Sequence, residues 1–445
     1  MIILSGATVV TMDPEKRILA DSAIAIQGER IVWVGQKDQI PDKFDNFQVV
    51  RLERKVIFPG FVNLHTHAAL SILRGVGDDT GIAPAYSPNV PQGVFLSPQD
   101  VYIFSMLGGL EALRFGTTCI VDNYIYEHQA VSAFNELGMR AVVSERLHDA
   151  DLFNVPLGIY EFDPQIGEQQ LERSYDLVQH WHGKFNGRIR CRLGPHAPDT
   201  CSTTYLKNIR DAAQELDLGL VIHLAQSRRE VKEIQQRSGK TVTQYLADLG
   251  MLGPQMIAGH CIFVDEDEMD LLARTGTHVS HQSGSNSRGG MMAPIKALVE
   301  RGVNLGLGTD NMSGDMIEVM RLALCVARMQ TGDNLALSAY DVLEMATLGG
   351  ARALGMEHEI GSIEVGKKAD LVVVDYQKPH LVPMKDPIAN LVHNGQGSDI
   401  DMVMVDGYIV IKDGHAITID EDALLREAQR ASDALWRKMA GNSSY

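Results

Sequence analysis

Two histidines one residue apart, His65 and His67, end a short apolar run that begins at Ile57. In an extended chain, residues i and i+2 project from the same face, so both imidazoles can point at one place. Imidazole is the commonest metal ligand in proteins. The pair alone is equally compatible with ordinary buried histidines, and a metal site requires further ligands from elsewhere in the chain.

Further side chains of the metal-binding type follow later apolar runs; they are His196, His223, His260 and Asp310. A single histidine that ends a buried strand is more often a core residue. Several strand ends that carry only metal-type ligands favour a shared centre instead, because the strand carboxyl ends of an α/β barrel meet at one face.

A set of three imidazoles and one carboxylate, from His65, His67, His223 and Asp310, suits one divalent metal ion. Zn²⁺ is the first choice, with Fe²⁺ or Co²⁺ as alternatives. A metal ion with an open position lowers the pKa of bound water to about 7. Asp310 could accept the proton of that water, and His260 could stabilise developing charge. These residues predict a metal-dependent hydrolase.

The region that carries these residues, roughly 57–361, alternates short apolar runs with helical patterns. After the strand that ends at His65, the strand candidates are Thr118–Asp122, Arg140–Ser144, Ile189–Leu193, Leu218–His223, Met256–His260, His278–His281 and Leu305–Thr309. The helix candidates include Pro98–Phe115, Thr204–Glu215, Thr241–Leu249, Glu266–Thr275 and Ala293–Arg301. About eight strand–helix units predict an α/β protein with a (β/α)8 TIM barrel. A doubly wound sheet is the alternative, but no G-x-G-x-x-G follows a strand.

Both ends of the chain consist of short strands and turns. They predict one small β domain built from residues 1–56 and 362–420, with the barrel over 57–361 between them. Residues 421–445 have helical spacing and predict a C-terminal helix. The Gly-, Pro-, Asp- and Ser-rich segment Val76–Ser97 is typical of a lid or binding loop, with a surface insertion as the alternative.

The composition excludes several partners. The 445 residues carry a formal net charge of -17, and nucleic acids and anionic membranes bind basic patches, so neither is expected. Five cysteines without a C-x-x-C pair fit a reducing compartment. The sequence does not begin with a basic leader, and no apolar run approaches the ~18 residues of a membrane span. A cytoplasmic protein with a small-molecule substrate is expected.

These residues lie in motifs that resemble the amidohydrolase superfamily, in the branch of the S-adenosylhomocysteine/methylthioadenosine deaminases and the triazine and phenylurea herbicide hydrolases. The motifs are P-G-F-V-N-L-H-T-H at 59–67, G-P-H-A-P at 194–198, H-L-A at 223–225, G-H-C at 259–261, S-N at 285–286, L-G-T-D at 307–310 and G-S-I-E-V-G-K-K-A-D-L at 361–371. The resemblance covers nearly the whole chain. It implies a metal-bearing barrel, a composite β-sandwich domain and a homo-oligomer, either a dimer or a higher state.

The resemblance also implies roles for individual residues. The metal ligands would be His65, His67, His223 and Asp310. His260 would act with Asp310 on water or substrate. The substrate-binding residues would be His196, His281, Asn286 and Asn311. Independently of the family, Arg140 and Arg146 lie near strand ends, where each could meet an anionic substrate group or form a structural ion pair.

One candidate catalytic position departs from the family's deaminases. Gln226 stands three residues after His223, where those enzymes carry a glutamate that protonates a ring nitrogen. An amide cannot move that proton, so ring deamination would lose about 10²–10⁴-fold in rate. Glu230 is no obvious replacement, because the deaminases have a carboxylate near there as well. The charged run 228–233 is expected to form a solvated helix face.

The glutamine at position 226 decides which function we expect first. The first is hydrolysis of a urea, amide or carbamate, such as a phenylurea-like or thiocarbamate-like compound, whose carbonyl oxygen needs no ring protonation. The alternative is an aminohydrolase or dechlorinase of an N-heteroaromatic, such as an adenosine derivative, a pterin or an s-triazine. It requires that Gln226 is tolerated or that another acid, Asp199 or Asp315, is recruited. The third is a non-catalytic structural relative, against which the retained metal ligands speak.

Overall fold

The structure is a computed structural model that describes residues 1–77, 95–311 and 313–442. Most of the predicted lid segment Val76–Ser97 lies outside the described residues. The strands are β1 (Ile2–Val10), β2 (Ile18–Gln27), β3 (Arg30–Gln36), β4 (Gln48–Arg51), β5 (Lys55–Pro59), β6 (Phe61–Thr66), β7 (Thr117–Tyr124), β8 (Arg140–Leu147), β9 (Ile189–Cys191), β10 (Gly194–Pro195), β11 (Leu220–Leu224), β12 (Met256–His260), β13 (His278–His281), β14 (Leu305–Leu307), β15 (Leu371–Asp375), β16 (Ile400–Val405), β17 (Tyr408–Lys412) and β18 (His415–Ala416).

The helices lie mainly between the middle strands and at the end of the chain. They are α1 (Pro98–Arg114), α2 (Glu127–Leu137), α3 (Pro164–Trp181), α4 (Lys184–Gly187), α5 (Thr203–Glu215), α6 (Arg228–Ser238), α7 (Val242–Asp248), α8 (Glu266–Thr275), α9 (Ser283–Arg288), α10 (Ile295–Glu300), α11 (Met316–Thr331), α12 (Ala339–Glu344), α13 (Gly350–Ala353), α14 (Pro387–Asn394) and α15 (Glu421–Asn442). Side-chain caps begin several of them; in α1, Ser97 and Asp100 form a reciprocal capping box. None of the described helices combines the length and the apolar character that crossing a bilayer requires.

One sheet of nine strands joins the two ends of the chain. Its order is β18-β17-β16-β15-β5-β1-β2-β3, with β4 paired to β1. The central pair, β5 and β15, is antiparallel, and Phe58 lies opposite Val372. One face of the sheet buries a cluster that includes Leu4, Ile24, Ile57, Val373 and Met404. This sheet is consistent with the β domain that the strand-rich ends predict.

The middle strands are parallel and nearly completely buried. One sheet contains β6 to β10, and another contains β11 to β14. Two isolated parallel bridges connect the sheets, one between Thr66 and Asp310 and the other between Leu193 and Leu220. Strands that are covered on both faces need apolar side chains on both faces, which explains their continuous apolar runs. The mixed α/β fold agrees with the predicted alternation of strands and helices.

A buried ion-pair network fastens the parallel strands to the terminal sheet. Arg140, at the amino end of β8, is fully buried. Its Nε and Nη2 atoms donate to the two carboxylate oxygens of Asp370 at 2.8 and 3.0 Å, and Nη2 also contacts Asp406. Of the two alternatives for Arg140, the structure therefore shows the structural ion pair.

Candidate metal centre

The predicted metal ligands lie at the carboxyl ends of parallel strands. His65 lies in β6, His67 follows it, His223 lies in β11, and Asp310 follows β14. Ligand atoms of His65, His67 and His223 lie within 4.8 Å of one another, as do those of His65, His260 and Asp310. All five side chains are buried. The fold thus places three imidazoles and a carboxylate of the predicted set around one point, with a fourth imidazole beside them.

Hydrogen bonds orient two imidazoles toward each other. His67 Nδ1 lies 2.6 Å from the carbonyl oxygen of Asn123, and His223 Nδ1 lies 2.5 Å from that of His196. Because a carbonyl only accepts, each Nδ1 carries the proton and each Nε2 keeps a lone pair. These two Nε2 atoms are 3.2 Å apart, and two lone pairs at that distance repel unless a cation lies between them. His65 Nε2 is also buried and has no hydrogen-bond partner among the described residues. This donor set fits a divalent metal ion.

Burial keeps these rings in the form that binds metals. It is the largest cause that lowers the pKa of His65 and of His223 well below the usual value, and the neighbouring histidines lower both further. Burial also lowers the pKa of His67, although the carboxylate of Asp310 opposes the shift. A neutral imidazole is the ligand form of histidine, so the rings are ready to bind a cation near neutral pH.

Backbone and side-chain contacts fix Asp310. Its amide donates to the carbonyl of His65 and its carbonyl accepts from the amide of His67, both at 2.9 Å. Its positive φ of 67° turns the chain after β14, which ends two residues earlier than predicted. Asp310 Oδ1 lies 3.8 Å from His65 Nε2 and 3.6 Å from His67 Nε2. Oδ2 accepts from the Ser285 hydroxyl at 2.5 Å, and the Asn311 side-chain amide donates to Oδ1 at 3.3 Å.

His260 stands beside the ligand cluster, stacked on His223 with ring centroids 5.4 Å apart. Its Nδ1 lies 3.0 Å from Asn286 Oδ1, so the amide oxygen accepts the proton and leaves His260 Nε2 with a lone pair. Asn286, predicted to bind substrate, thus contacts the predicted catalytic histidine. Its Nδ2 is buried without a hydrogen-bond partner among the described residues.

The other two predicted substrate-binding histidines also lie at strand ends. His196 follows β10, and its Nδ1 lies 2.8 Å from the Thr200 hydroxyl. Its ring centroid is 5.1 Å from that of His223. His281 ends β13, and its Nδ1 lies 2.7 Å from the Ser283 hydroxyl. Burial lowers the pKa of His281 to about 4, so it is neutral at physiological pH.

Gln226 follows β11 and is buried, as a residue at the site would be. The solvated helix face predicted for residues 228–233 is wrong for Glu230, which is fully buried. The Glu230 carboxylate accepts from the amides of Ala225 and Gln226, both at 2.8 Å. Glu230 therefore fixes the backbone of the turn after β11, and these two contacts occupy both carboxylate oxygens.

Arg146 is the second arginine for which the sequence leaves two roles open. It lies near the carboxyl end of β8 and is buried, with its guanidinium 4.9 Å from the centroid of the Tyr124 ring. No carboxylate within the described ranges forms a salt bridge with it, and its Nε has no hydrogen-bond partner there. Burial is the largest cause that lowers the pKa of His196 and of His223, and the charge of Arg146 lowers both further. A buried cation that forms no salt bridge with a described residue therefore lies within electrostatic reach of the ligand cluster.

Two buried carboxyl groups, one in β7 and one at the start of α2, were not found from the sequence. Asp122 Oδ1 accepts from the amide of Ala68, and Glu127 Oε1 accepts from that of Tyr124, both at 2.8 Å. The second oxygen of each group has no other partner among the described residues. Burial raises the pKa of Asp122 to about 7 and that of Glu127 well above its usual value. We infer that they share a proton. An acidic residue inside the predicted strand 118–122 was the only sequence signal.

Comparison with known proteins identifies a family and several relatives of this chain. The model of the amidohydrolase family matches residues 56–410. A 5-methylthioadenosine/S-adenosylhomocysteine deaminase of Pelotomaculum thermopropionicum is 36% identical over 435 residues, which cover 96% of this chain and 97% of that protein. A 5'-deoxyadenosine deaminase of Methanosarcina mazei is 36% identical over 440 residues, or 98% of each chain.

A solved structure agrees with the fold as a whole. The crystal structure of an adenosine deaminase from Xanthomonas campestris with bound zinc superimposes with a TM-score of 0.87 and 29% identity, and the match covers 98% of each chain.

Proposed function

The chain belongs to the amidohydrolase family, and from this premise we propose that it removes the amino group from the adenine ring of a 5′-modified adenosine. One observation carries the proposal: over nearly its whole length the chain is 36% identical to deaminases of methylthioadenosine, S-adenosylhomocysteine and 5′-deoxyadenosine. As an amidohydrolase it is a metal-dependent enzyme that hydrolyses non-peptide carbon–nitrogen bonds. The relatives favour the aminohydrolase alternative over the urea, amide or carbamate substrates that Gln226 suggests.

The proposal includes a domain organisation. Residues 57–361 would form a closed (β/α)8 barrel, since parallel bridges link its two sheets at both junctions, at Thr66–Asp310 and at Leu193–Leu220. Residues 1–56 and 362–420 would form the composite β-sandwich domain, followed by the C-terminal helix α15, while the last three residues of the predicted helix 421–445 lie outside the described residues. In this organisation the candidate centre would lie at the carboxyl ends of the barrel strands, where such barrels carry their active sites.

The proposed ligands are His65, His67, His223 and Asp310, holding one divalent ion, for which zinc is the first choice. When bound, the ion would supply a water of lowered pKa, about 7, and polarise the reacting centre. Asp310 would accept the proton of that water, since Ser285 and the adjoining backbone contacts hold its carboxylate in place. His260 would use Nε2 to hydrogen-bond the attacking group, because Asn286 fixes the proton on Nδ1.

Gln226 limits the rate at which this site can deaminate an adenine ring. Its amide can hydrogen-bond a ring nitrogen but cannot give it a proton. Protons for the ring and for the departing amine would therefore have to come from Asp310. We expect deamination about 10²–10⁴-fold slower than with a carboxylic acid at this position. The same residue favours a second candidate, hydrolysis of a urea, amide or carbamate, in which no ring nitrogen needs protonation.

Arg146 narrows the substrate class. A buried guanidinium that forms no salt bridge with a described residue is a costly feature that an anionic group of a ligand would offset. Among the three nucleosides above, only S-adenosylhomocysteine carries a carboxylate. We therefore propose that it, or another adenosine whose 5′ substituent carries a carboxylate, is the preferred substrate.

The test measures ammonia release by metal-replete protein from the three adenosine derivatives, and carbonyl-bond cleavage of a phenylurea and a carbamate. Wild type and Gln226→Glu are compared side by side. The proposal expects adenosine derivatives to react and the variant to be faster, by up to the factor above. Cleavage of the urea or carbamate alone, with no ammonia from any adenosine, would show that the second candidate is correct.

The homo-oligomer implied by the resemblance stays a prediction that light scattering can test.

A further inference from the structure

A cavity lies outside the candidate metal centre, where the turn between β1 and β2 meets α11, α12 and α14. Its volume is about 410 Å³, within the range of small-molecule sites. Its lining includes Lys16, Arg328, Tyr340, Ile388 and His393, and none of the candidate metal ligands. Small-molecule sites often form where structural units meet, as the terminal sheet and the helices do here. We call it the junction cavity.

The basic side chains of the junction cavity are only partly used within the protein. Arg328 donates from Nη2 to the carbonyl of Leu337 at 3.1 Å. The Arg328 side chain is half-buried and lines the cavity, and no carboxylate in the described part of the chain forms a salt bridge with it. The Lys16 ammonium lies 4.2 Å from the centroid of the Tyr340 ring. Neither Arg328 nor Lys16 has a carboxylate partner among the described residues, and an anion bound in the cavity would supply one.

The one carboxylate in the lining is already engaged. Asp386 Oδ1 accepts from the amides of Ile388 and Ala389, at 2.9 and 3.0 Å, and so caps α14. Asp386 therefore serves the helix amino terminus rather than Arg328 or Lys16. The two cations of the cavity can therefore still donate hydrogen bonds to a bound ligand.

The rest of the lining is apolar. Leu335 is 81% exposed and Ile18 is 45% exposed, although both are large hydrophobic side chains. Leu337 and Ile388 continue the apolar surface inward. Together with the Tyr340 ring, they would gain from a flat apolar body that covers them.

We propose that the junction cavity is a second ligand site, which binds a small organic anion: a carboxylate or sulfonate on an aromatic body. The anionic oxygens pair with the Arg328 guanidinium and with the Lys16 ammonium. The aromatic body packs on Tyr340, Leu335 and Ile18. We expect tight binding to require both the anionic group and the aromatic body, because the cavity has few charged groups and a larger apolar surface.

The probe is 8-anilinonaphthalene-1-sulfonate, an aromatic sulfonate whose fluorescence rises on binding. It is titrated into metal-loaded full-length protein. Arg328→Gln keeps a side chain of similar length but removes the charge, and should weaken binding about tenfold. Ala389→Phe removes no charge and fills the cavity, and should abolish the same component of the signal. The matched control is Lys43→Ala, whose ammonium lies 4.9 Å over the Phe44 ring at another place on the surface.

The competitor arms test the chemistry of the ligand. Displacement of the probe by benzoate, but not by inorganic phosphate at equal ionic strength, supports an organic anion with an aromatic body. Equal displacement by phosphate overturns that assignment in favour of a simple anion site. Unchanged probe binding in both Arg328→Gln and Ala389→Phe overturns the site itself. Circular dichroism on each variant shows whether a loss of binding comes with a loss of folding.

Discussion

The Ser285 hydroxyl donates to Asp310 Oδ2 across 2.5 Å, and this contact joins α9 to the turn after β14. It holds one carboxylate oxygen, so that the other, Oδ1, faces His65 and His67 at 3.8 and 3.6 Å. The residue that orients the proposed base of the reaction therefore comes from a helix and not from a strand end.

Replacement of Ser285 by alanine should weaken metal binding. A hydrogen bond to a charged group contributes about 1.5–3 kcal/mol, so we expect an affinity at least about tenfold lower. Competition with a chromogenic chelator measures it. Ser287→Ala is the control, because Ser287 lies on the same helix and donates to the carbonyl of Gly284. Equal affinities of the two variants would contradict the positioning role of Ser285.

Metal removal should destabilise the protein. Without a cation, the lone pairs of His67 and His223 face each other at 3.2 Å, and the free energy of binding is lost from the folded state. At a metal concentration of about 1,000 times Kd, that contribution is about 4 kcal/mol. Thermal unfolding with and without a chelator measures the change. The shift should vanish in His223→Ala. A chelator effect of the same size in that variant would show that the metal stabilises another part of the molecule.

Arg146→Met should discriminate between substrates. The methionine keeps apolar contact with the Tyr124 ring but cannot pair with a carboxylate. We expect KM for S-adenosylhomocysteine to rise about 10–100-fold, while KM for 5′-deoxyadenosine, which has no carboxylate, stays within about twofold. Steady-state ammonia release measures both on the same preparation, so misfolding would affect both substrates alike. A parallel change in the two KM values would refute the pairing.

Asp122 should make stability fall as pH rises. Its pKa is raised to about 7 by burial, from a value of 3.8 for an unperturbed aspartate. Between pH 4 and 7 the unfolded chain has lost this proton and the folded protein keeps it. The contribution of Asp122 to the free energy of unfolding therefore decreases with pH, by up to about 1.4 kcal/mol per unit, and levels off above pH 7.

Asp122→Asn removes that proton and should flatten the decrease, which urea unfolding at several pH values measures. The exposed Asp211→Asn is the control and should leave the wild-type slope unchanged. The same steepness in wild type and Asp122→Asn would show that Asp122 does not hold a proton in the folded protein.

The convergence of the candidate metal residues could be predicted because it follows from chain geometry. His65 and His67 share a face through the two-residue period of a strand, and His223, His260 and Asp310 each follow or end an apolar run. Strand identity was easier to predict than strand ends. β14 is shorter than predicted because the backbone turns at Asp310 to pair with His65, a contact with a distant strand.

Residues whose role depends on a distant partner could not be placed in this way. Arg140 and Arg146 lie in the same strand and look alike in sequence, yet the first meets Asp370 at the amino end and the second meets no carboxylate among the described residues. Glu230 lies in a charged run that is typical of a solvated helix. Its burial follows from the two backbone amides it accepts, which no periodicity reveals.

The Arg140–Asp370 pair also sets an order of events during synthesis. Arg140 leaves the ribosome long before Asp370 and Asp406, and β5 leaves it long before β15. Until then the first half of the chain contains an arginine without its counter-charges and a strand edge that has only one neighbour. The terminal sheet can close only when translation is almost complete. A nascent or truncated chain that stops before residue 370 therefore exposes an open β edge, the kind of surface that chaperones shield and that otherwise aggregates.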